Sequence, residues 1–248
     1  MPQFFKQLFG IIALLVFSTS CGCATTSVLS TMKDAPRTSF VKIEVLTNEY
    51  ISTGSGVIIN HIEEKTLILT AGHICKDNTV AMKVLDHYEK EYEVITFIRS
   101  NEDDLCILVT DFISWPAIKV SNSEPEIGDK VYNIAAPMGI HAPNMSLTFE
   151  GHYQGQMKLK EEKYPLDIHS ISGMGGSSGS AVFNDNWEII GIVSRGVTGF
   201  QHIMMCVSQP RTKAFVGYTF TVAFREELSV VLGNKNQKLI DIINSILK

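Results

Sequence analysis

The sequence predicts an all-β fold, a barrel or sandwich of short antiparallel strands, finished by one C-terminal α-helix. Three observations lead there. Short apolar runs recur between turn signals from residue 41 to residue 222. No long amphipathic helical pattern interrupts them. Only the last stretch, residues 225–248, switches to helical spacing.

Residues 1–23 stand apart from this pattern. Lys6 supplies a positive start and Leu8 to Phe17 an apolar stretch too short to span a bilayer. Ser18-Thr19-Ser20-Cys21-Gly22-Cys23-Ala24 follows, small residues where a leader ends. Small residues before a cysteine resemble a bacterial lipobox, whose cysteine is lipidated, so Cys21 or Cys23 is the expected membrane attachment. Plain cleavage after Ala24, releasing a soluble protein, is the alternative. Both routes imply export. Residues 24–38 are polar, include Pro36, and read as a tether.

The body covers residues 39–224. Its first half offers strands at Val41–Leu46, Gly56–Ile59, Thr66–Thr70, Val80–Leu85, Tyr92–Arg99 and Leu105–Thr110. Residues 111–127 carry Pro116 and Pro125 and read as a connection. Next come Lys130–Ala136, then a hairpin of Met145–His152 with Gln156–Leu159 about Gly151 and Gly155. Leu166–Ile171, Val182–Phe183, Ile189–Ser194, Phe200–Ser208 and Val216–Val222 complete the set, with a tight turn at Asn184-Asp185-Asn186. Alternation within these runs is too imperfect to set register. In residues 225–248, Leu239, Ile242, Ile243, Ile246 and Leu247 share one helical face, suited to packing on the second half.

Composition narrows the function. A net charge of −5 over 248 residues leaves no basic footprint for nucleic acid. There is no Cys-x-x-Cys pair, no His-Glu-x-x-His helix and no phosphate-binding Gly-x-x-x-x-Gly-Lys loop, so no metal or organic cofactor is expected. The body has three cysteines. Cys106 lies in an apolar run and reads as a buried thiol, which leaves Cys75 and Cys206 as the candidate pair.

Three segments carry chemistry. Gly175-Gly176-Ser177-Ser178-Gly179-Ser180 runs into the apolar Ala181-Val182-Phe183. Thr70-Ala71-Gly72-His73 closes the apolar Leu67-Ile68-Leu69. Asp103-Asp104 opens Leu105-Cys106-Ile107-Leu108. A serine hydroxyl becomes a nucleophile when a base takes its proton, and the base needs a partner that fixes its tautomer. The assignment is Ser178 as nucleophile, His73 as base and Asp104 as orienting acid. Asp104 is preferred to Asp103 because it abuts the strand, and alternation sends Asp103 the other way. The amides of Gly176 and Ser178 would meet the developing oxyanion.

In this order and spacing, the segments resemble the trypsin/chymotrypsin-like serine proteases over roughly Phe40 to Phe224. Gly54-Ser55-Gly56-Val57-Ile58-Ile59 is similar to the strand before the family's histidine box, and Ile189-Ile190-Gly191-Ile192-Val193-Ser194 to the strand beside bound substrate. The resemblance implies two antiparallel barrels with the site in the cleft between them, and a polypeptide substrate. Ser177 stands where digestive members carry an aspartate for a newly cut N-terminus, so that activation route is not expected. The style is closest to disulfide-poor bacterial HtrA-like domains, without a PDZ domain.

By the same resemblance, Ser172 and Gly173 would form the base of the specificity pocket, Ser194, Arg195 and Gly196 one wall, and Gly217-Tyr218-Thr219 the other. No acid lies at the base, so a small to medium apolar or polar residue is expected before the scissile bond. An inward Arg195 would instead recruit an acidic one. Two rival readings keep the fold: a peptide- or surface-binding barrel without catalysis, and a protease whose serine loop orders only when a partner arrives.

Overall fold

The structure is a computed structural model that describes Lys33 and residues 35–76, 78–160, 162–197 and 199–220. The expected leader with Cys21 and Cys23, and the helix expected over residues 225–248, lie outside the described residues.

Among the described residues, twelve strands form two closed antiparallel barrels. The first contains β1 (Phe40–Thr47), β2 (Ile51–Ile62), β3 (Lys65–Thr70), β4 (Thr79–Leu85), β5 (Glu91–Arg99) and β6 (Cys106–Asp111). The second contains β7 (Lys130–Ala135), β8 (Leu147–Met157), β9 (Leu166–His169), β10 (Ala181–Phe183), β11 (Ile189–Val197) and β12 (Phe200–Ser208). The order around the first is β1-β2-β3-β6-β5-β4, and the second repeats it as β7-β8-β9-β12-β11-β10. Helix α1 (Gln209–Tyr218) follows β12.

Three apolar clusters explain why strand alternation was hard to read. Val41, Ile43, Ile58, Ile68 and Leu108 fill the first barrel. Val131, Val182, Ile190 and Val193 fill the second. The other faces of the same strands meet between the barrels: Leu67, Leu69, Ile107 and Val109 from one side, Tyr132, Ile134, Phe183, Ile192 and Val207 from the other. A strand buried on both faces is written in continuous apolar residues, so period two disappears. Residues 112–129 carry the chain across. Ile118 donates its amide to Ile58, and Val120 bridges to Ile189.

Two expected elements differ. The hairpin about Gly151 and Gly155 is one strand, β8, whose register shifts between Tyr153 and Gly155. Gly155 has φ +109°, so it serves a bulge rather than a turn. A side chain at Gly151 would strike the Ser170 carbonyl, 2.2 Å from where its Cβ would stand. The strand expected at Val216–Val222 begins inside α1. Pro210 starts that helix, and its buried residues are Gln209, Thr212 and Phe215. Only one of the three is apolar, so the sequence carries no helical apolar stripe there.

The cysteine pairing also differs. Cys75 is bonded to Cys106, and among the described residues Cys206 is the free thiol, and it is buried. Both Cys75 and Cys106 sit in the apolar interior of the first barrel, where the pairing of β3 with β6 brings them together. The bond closes a span of 31 residues, worth about 3–4 kcal/mol on chain-entropy grounds.

The second barrel buries two ionisable groups. On β9, Asp167 and His169 are 1% and 0% exposed. Asp167 accepts hydrogen bonds from Gln156 at 3.0 Å and Tyr153 at 3.5 Å. Neither ring nitrogen of His169 has a partner among the described residues. Burial pushes the Asp167 carboxyl from 3.8 up to about 6 and the His169 imidazole from 6.5 down to about 4. The two act oppositely on stability. The His169 contribution is complete above pH 6.5 and lost as pH falls to about 4. The Asp167 contribution is complete below pH 3.8 and lost as pH rises to about 6. Each amounts to about 3 kcal/mol, so in the natural chain they largely cancel. In His169→Leu only the Asp167 dependence remains. Urea unfolding at pH 7 and pH 4 should therefore show the variant gaining about 3 kcal/mol on acidification relative to the natural chain. A variant with unaltered pH dependence would refute this account.

Candidate active site

Register brings His73 and Asp104 together. Strands β3 and β6 pair antiparallel without interruption from Lys65↔Asp111 to Thr70↔Cys106. The chain leaving β3 and the chain entering β6 therefore share one barrel edge. Past that edge, Gly72–Ile74 makes a 3₁₀ turn that presents His73. The His73 amide donates to Asp104 Oδ1 at 2.7 Å, and its ring Nδ1 lies 2.8 Å from Oδ2. The two contacts together set both the position and the tilt of the ring. Cys75 and Cys106 each lie two residues beyond these side chains, so the disulfide ties the two carrying segments covalently.

The second barrel reaches the same carboxylate. Ser194 Oγ donates to Asp104 Oδ2 at 2.6 Å. Burial opposes ionisation of Asp104. Hydrogen bonds from the His73 ring, the Ser194 hydroxyl and the His73 amide outweigh it and hold the carboxyl below its ordinary value.

Asp103 has a different partner. Its carboxylate accepts from Arg211 Nε at 3.0 Å and Nη2 at 2.6 Å, a two-pronged pair supplied by α1. The guanidinium also stacks 3.6 Å from the Tyr164 ring centre. The two adjacent aspartates thus take different partners, but not through strand alternation: they precede β6 (Cys106–Asp111), in a turn closed by the Leu105 amide on the Asp103 carbonyl at 2.8 Å.

The serine loop is built on short-range bonds. Ser177 donates its amide to Met174, and Ser180 donates to Ser177. Gly179 donates to Val193 and Val193 to Ser180, which extends the β10–β11 ladder to the loop. Gly179 has φ +84°, and a Cβ there would lie 2.1 Å from Thr70 Oγ1. Glycine is required on both counts. Ser180 tolerates a side chain because it points inward, bonded to the Ser177 carbonyl and to Asn133. The amides of Gly176 and Ser178 donate to no acceptor among the described residues.

His73, Asp104 and Ser178 line one open cleft of about 650 Å³. Gly173, Gly196, Val197 and Met204 continue it. The Met204 thioether fills the space beside Gly173, where a Cβ would lie 2.4 Å from its sulfur. Ser172 is turned out of the cleft, its hydroxyl 2.7 Å from His202 Nδ1. Arg195 borders the cleft, yet its guanidinium pairs with Glu162. Gly217 and Tyr218 end α1 and do not line the cleft; Met204 of β12 stands in their place. Sequence reasoning missed the parts played by Ser55, Met138 and Met204. Their roles depend on which segment folds against them. The one local signal was a serine between two glycines at Gly54-Ser55-Gly56.

Comparison with known proteins agrees with this architecture. The family model described as a trypsin-like peptidase domain matches residues 54–192. A probable periplasmic DegP-like serine endoprotease of Pseudomonas putida (strain W619) is 24% identical over 195 residues, 75% of this chain. The match covers 35% of that relative's length. Among solved structures, the active form of the Rv3671c protease from M. tuberculosis superposes with a TM-score of 0.62 at 15% identity, covering 76% of this chain and 84% of that one. The serine endoprotease from Yersinia pestis does so with a TM-score of 0.62 at 21% identity, covering 77% and 65%. Because the family model spans more than half of the sequence and the fold is the same double barrel, this chain belongs to the trypsin-like peptidase family.

Proposed function

We propose that this protein is an exported serine endopeptidase that cuts peptide bonds through an acyl-enzyme. The observation that carries the reading is a histidine held by two hydrogen bonds on a half-buried carboxylate, in a cleft shared with Ser178, whose own amide and that of Gly176 have no acceptor among the described residues. Membership of the trypsin-like peptidase family supports it.

Ser178 Oγ attacks the substrate carbonyl while His73 Nε2 takes the hydroxyl proton. Asp104 holds the tautomer that leaves Nε2 free and stabilises the imidazolium that forms. The amides of Gly176 and Ser178 receive the oxyanion. His73 then returns the proton to the leaving amine, and water attacks the acyl-enzyme by the reverse path. A fluorophosphonate probe tests this directly. The expected outcome is covalent labelling of Ser178, absent in Ser178→Ala and reduced at least a hundredfold in rate in His73→Ala, on the order of what a general base supplies. A well-folded protein without labelling would favour the binding-module reading.

The residue before the scissile bond is proposed to be small to medium and apolar. Val197 and Met204 supply apolar walls, and no carboxylate lines that part of the cleft among the described residues. The pairing of Arg195 with Glu162 offsets the charge that would recruit an acidic residue. Cleavage of a peptide library should show enrichment of Ala, Val and similar residues. Dominant Lys, Arg, Asp or Glu at that position would sink the assignment.

Export is supported by the leader-like residues 1–23 and by the periplasmic designation of the DegP-like relative. Membrane attachment through a lipid on Cys21 or Cys23 is part of the same proposal. Growth with a clickable fatty acid should label the natural chain, and the label should disappear in Cys21→Ser or in Cys23→Ser. An unlabelled natural chain would leave plain signal cleavage.

A further inference from the structure

Ser55 lies in β2 between Gly54 and Gly56 and is completely buried. A buried hydroxyl needs partners, and this one finds them in the opposite barrel. Its Oγ donates to the carbonyl of Gly176 at 2.8 Å and accepts from the amide of Ala136 at 3.0 Å. The Ser55 amide donates to the carbonyl of Ser178 at 2.8 Å. Its carbonyl accepts from the Thr70 hydroxyl at 2.7 Å.

These bonds control which way the loop amides face. In a trans peptide the C=O and N–H point in opposite directions, and none of the peptide bonds is cis among the described residues. With the Gly176 carbonyl held on Ser55, the Ser177 amide faces the other way, onto Met174. With the Gly175 carbonyl held on the Met138 amide at 2.6 Å, the Gly176 amide is turned away from Met138. Ala136, which donates to Ser55, opens the turn Pro137–Gly139 that supplies that Met138 amide. Gly176 completes the arrangement: φ is +95°, and a Cβ would lie 2.5 Å from the Ala136 carbonyl. One hydroxyl therefore touches the second peptide plane directly and the first through the 136–139 turn.

We propose that Ser55 is a positioning residue for oxyanion stabilisation: its hydroxyl sets the peptide planes on both sides of Gly176 and so aims the Gly176 amide at the developing charge. The inference rests on Ser178 being the nucleophile. The Ser55 hydroxyl is completely buried and bonds to neither Ser178 Oγ nor His73.

The test is Ser55→Ala in the full chain, with Ser55→Thr as the variant that keeps the hydroxyl. A misaimed amide costs most where negative charge appears. In Ser55→Ala, kcat should fall roughly ten- to a hundredfold, with KM within about twofold of the natural value. Affinity for a peptide aldehyde, which forms a tetrahedral adduct on the serine, should fall with kcat. Ser55→Thr should restore most of both. Amide hydrogen exchange at Ala136 and Ser177 should quicken in Ser55→Ala. A lower Tm with unchanged kcat and aldehyde affinity would overturn the proposal and leave Ser55 a packing residue. If Ser55→Ala does not fold, Ser55→Cys, a weaker donor of similar size, should give an intermediate kcat; a natural kcat there would overturn it equally. If the natural chain neither turns over substrate nor takes up fluorophosphonate, the nucleophile assignment fails. Exchange at Ala136 and Ser177 still decides whether Ser55 orients the loop, and unchanged exchange would overturn that claim by itself.

Discussion

The apolar seam between the two barrels is the constraint on which the rest depends. Histidine and acid candidates hang from the first barrel, and the serine loop from the second. Their distance is set by how Leu67, Leu69, Ile107 and Val109 pack against Tyr132, Ile134, Phe183 and Ile192. Close-packed side chains resist displacement. A seam of this kind therefore holds the two barrels, and the segments they carry, in a fixed relation.

Polar contacts refine what the seam sets coarsely. Ser194 reaches from β11 to Asp104 in the other barrel, and Ser55 reaches from β2 to the serine loop. Arg211 reaches from α1 to Asp103, the residue next to Asp104. Each contact is partly or wholly buried, so each would be costly to leave unmade. Two contacts between the barrels and one from α1 thus converge on Asp104, its neighbour Asp103 and the serine loop. The disulfide adds a fourth tie within the first barrel, between the segments that carry His73 and Asp104.

The second barrel carries a different kind of burden. Asp167 and His169 are buried where they do not line the cleft, and their opposed titrations largely cancel each other's effect on stability. Removing either alone exposes the other's dependence. Asp104 is the one carboxylate that lines the cleft among the described residues. Arg195 at the cleft border is engaged by Glu162, and Val197 and Met204 line the cleft with apolar surface.

The sequence by itself determined what is local. Strand positions were legible to within a few residues, apart from the length of β2, the break assigned inside β8 and the strand expected at Val216–Val222, because turn residues punctuate short apolar runs. The histidine, aspartate and serine segments were legible because each couples a special residue to a strand end. Only the tertiary structure decided what depends on register and crossing. Strands buried on both faces lose the alternation that would have fixed register, so the Cys75–Cys106 pairing was invisible, Cys106 read as a free thiol and Cys206 as the candidate partner of Cys75. The glycines of β8 read as a turn because bulge and hairpin use the same residue. Helix α1 buries polar residues and so carried no apolar period. The Ser55 hydroxyl became informative only once folding placed Gly176 and Ala136, both more than eighty residues away in sequence, on either side of it. Local signals come from single residues and their immediate neighbours, whereas these contacts exist only after two closed barrels have met.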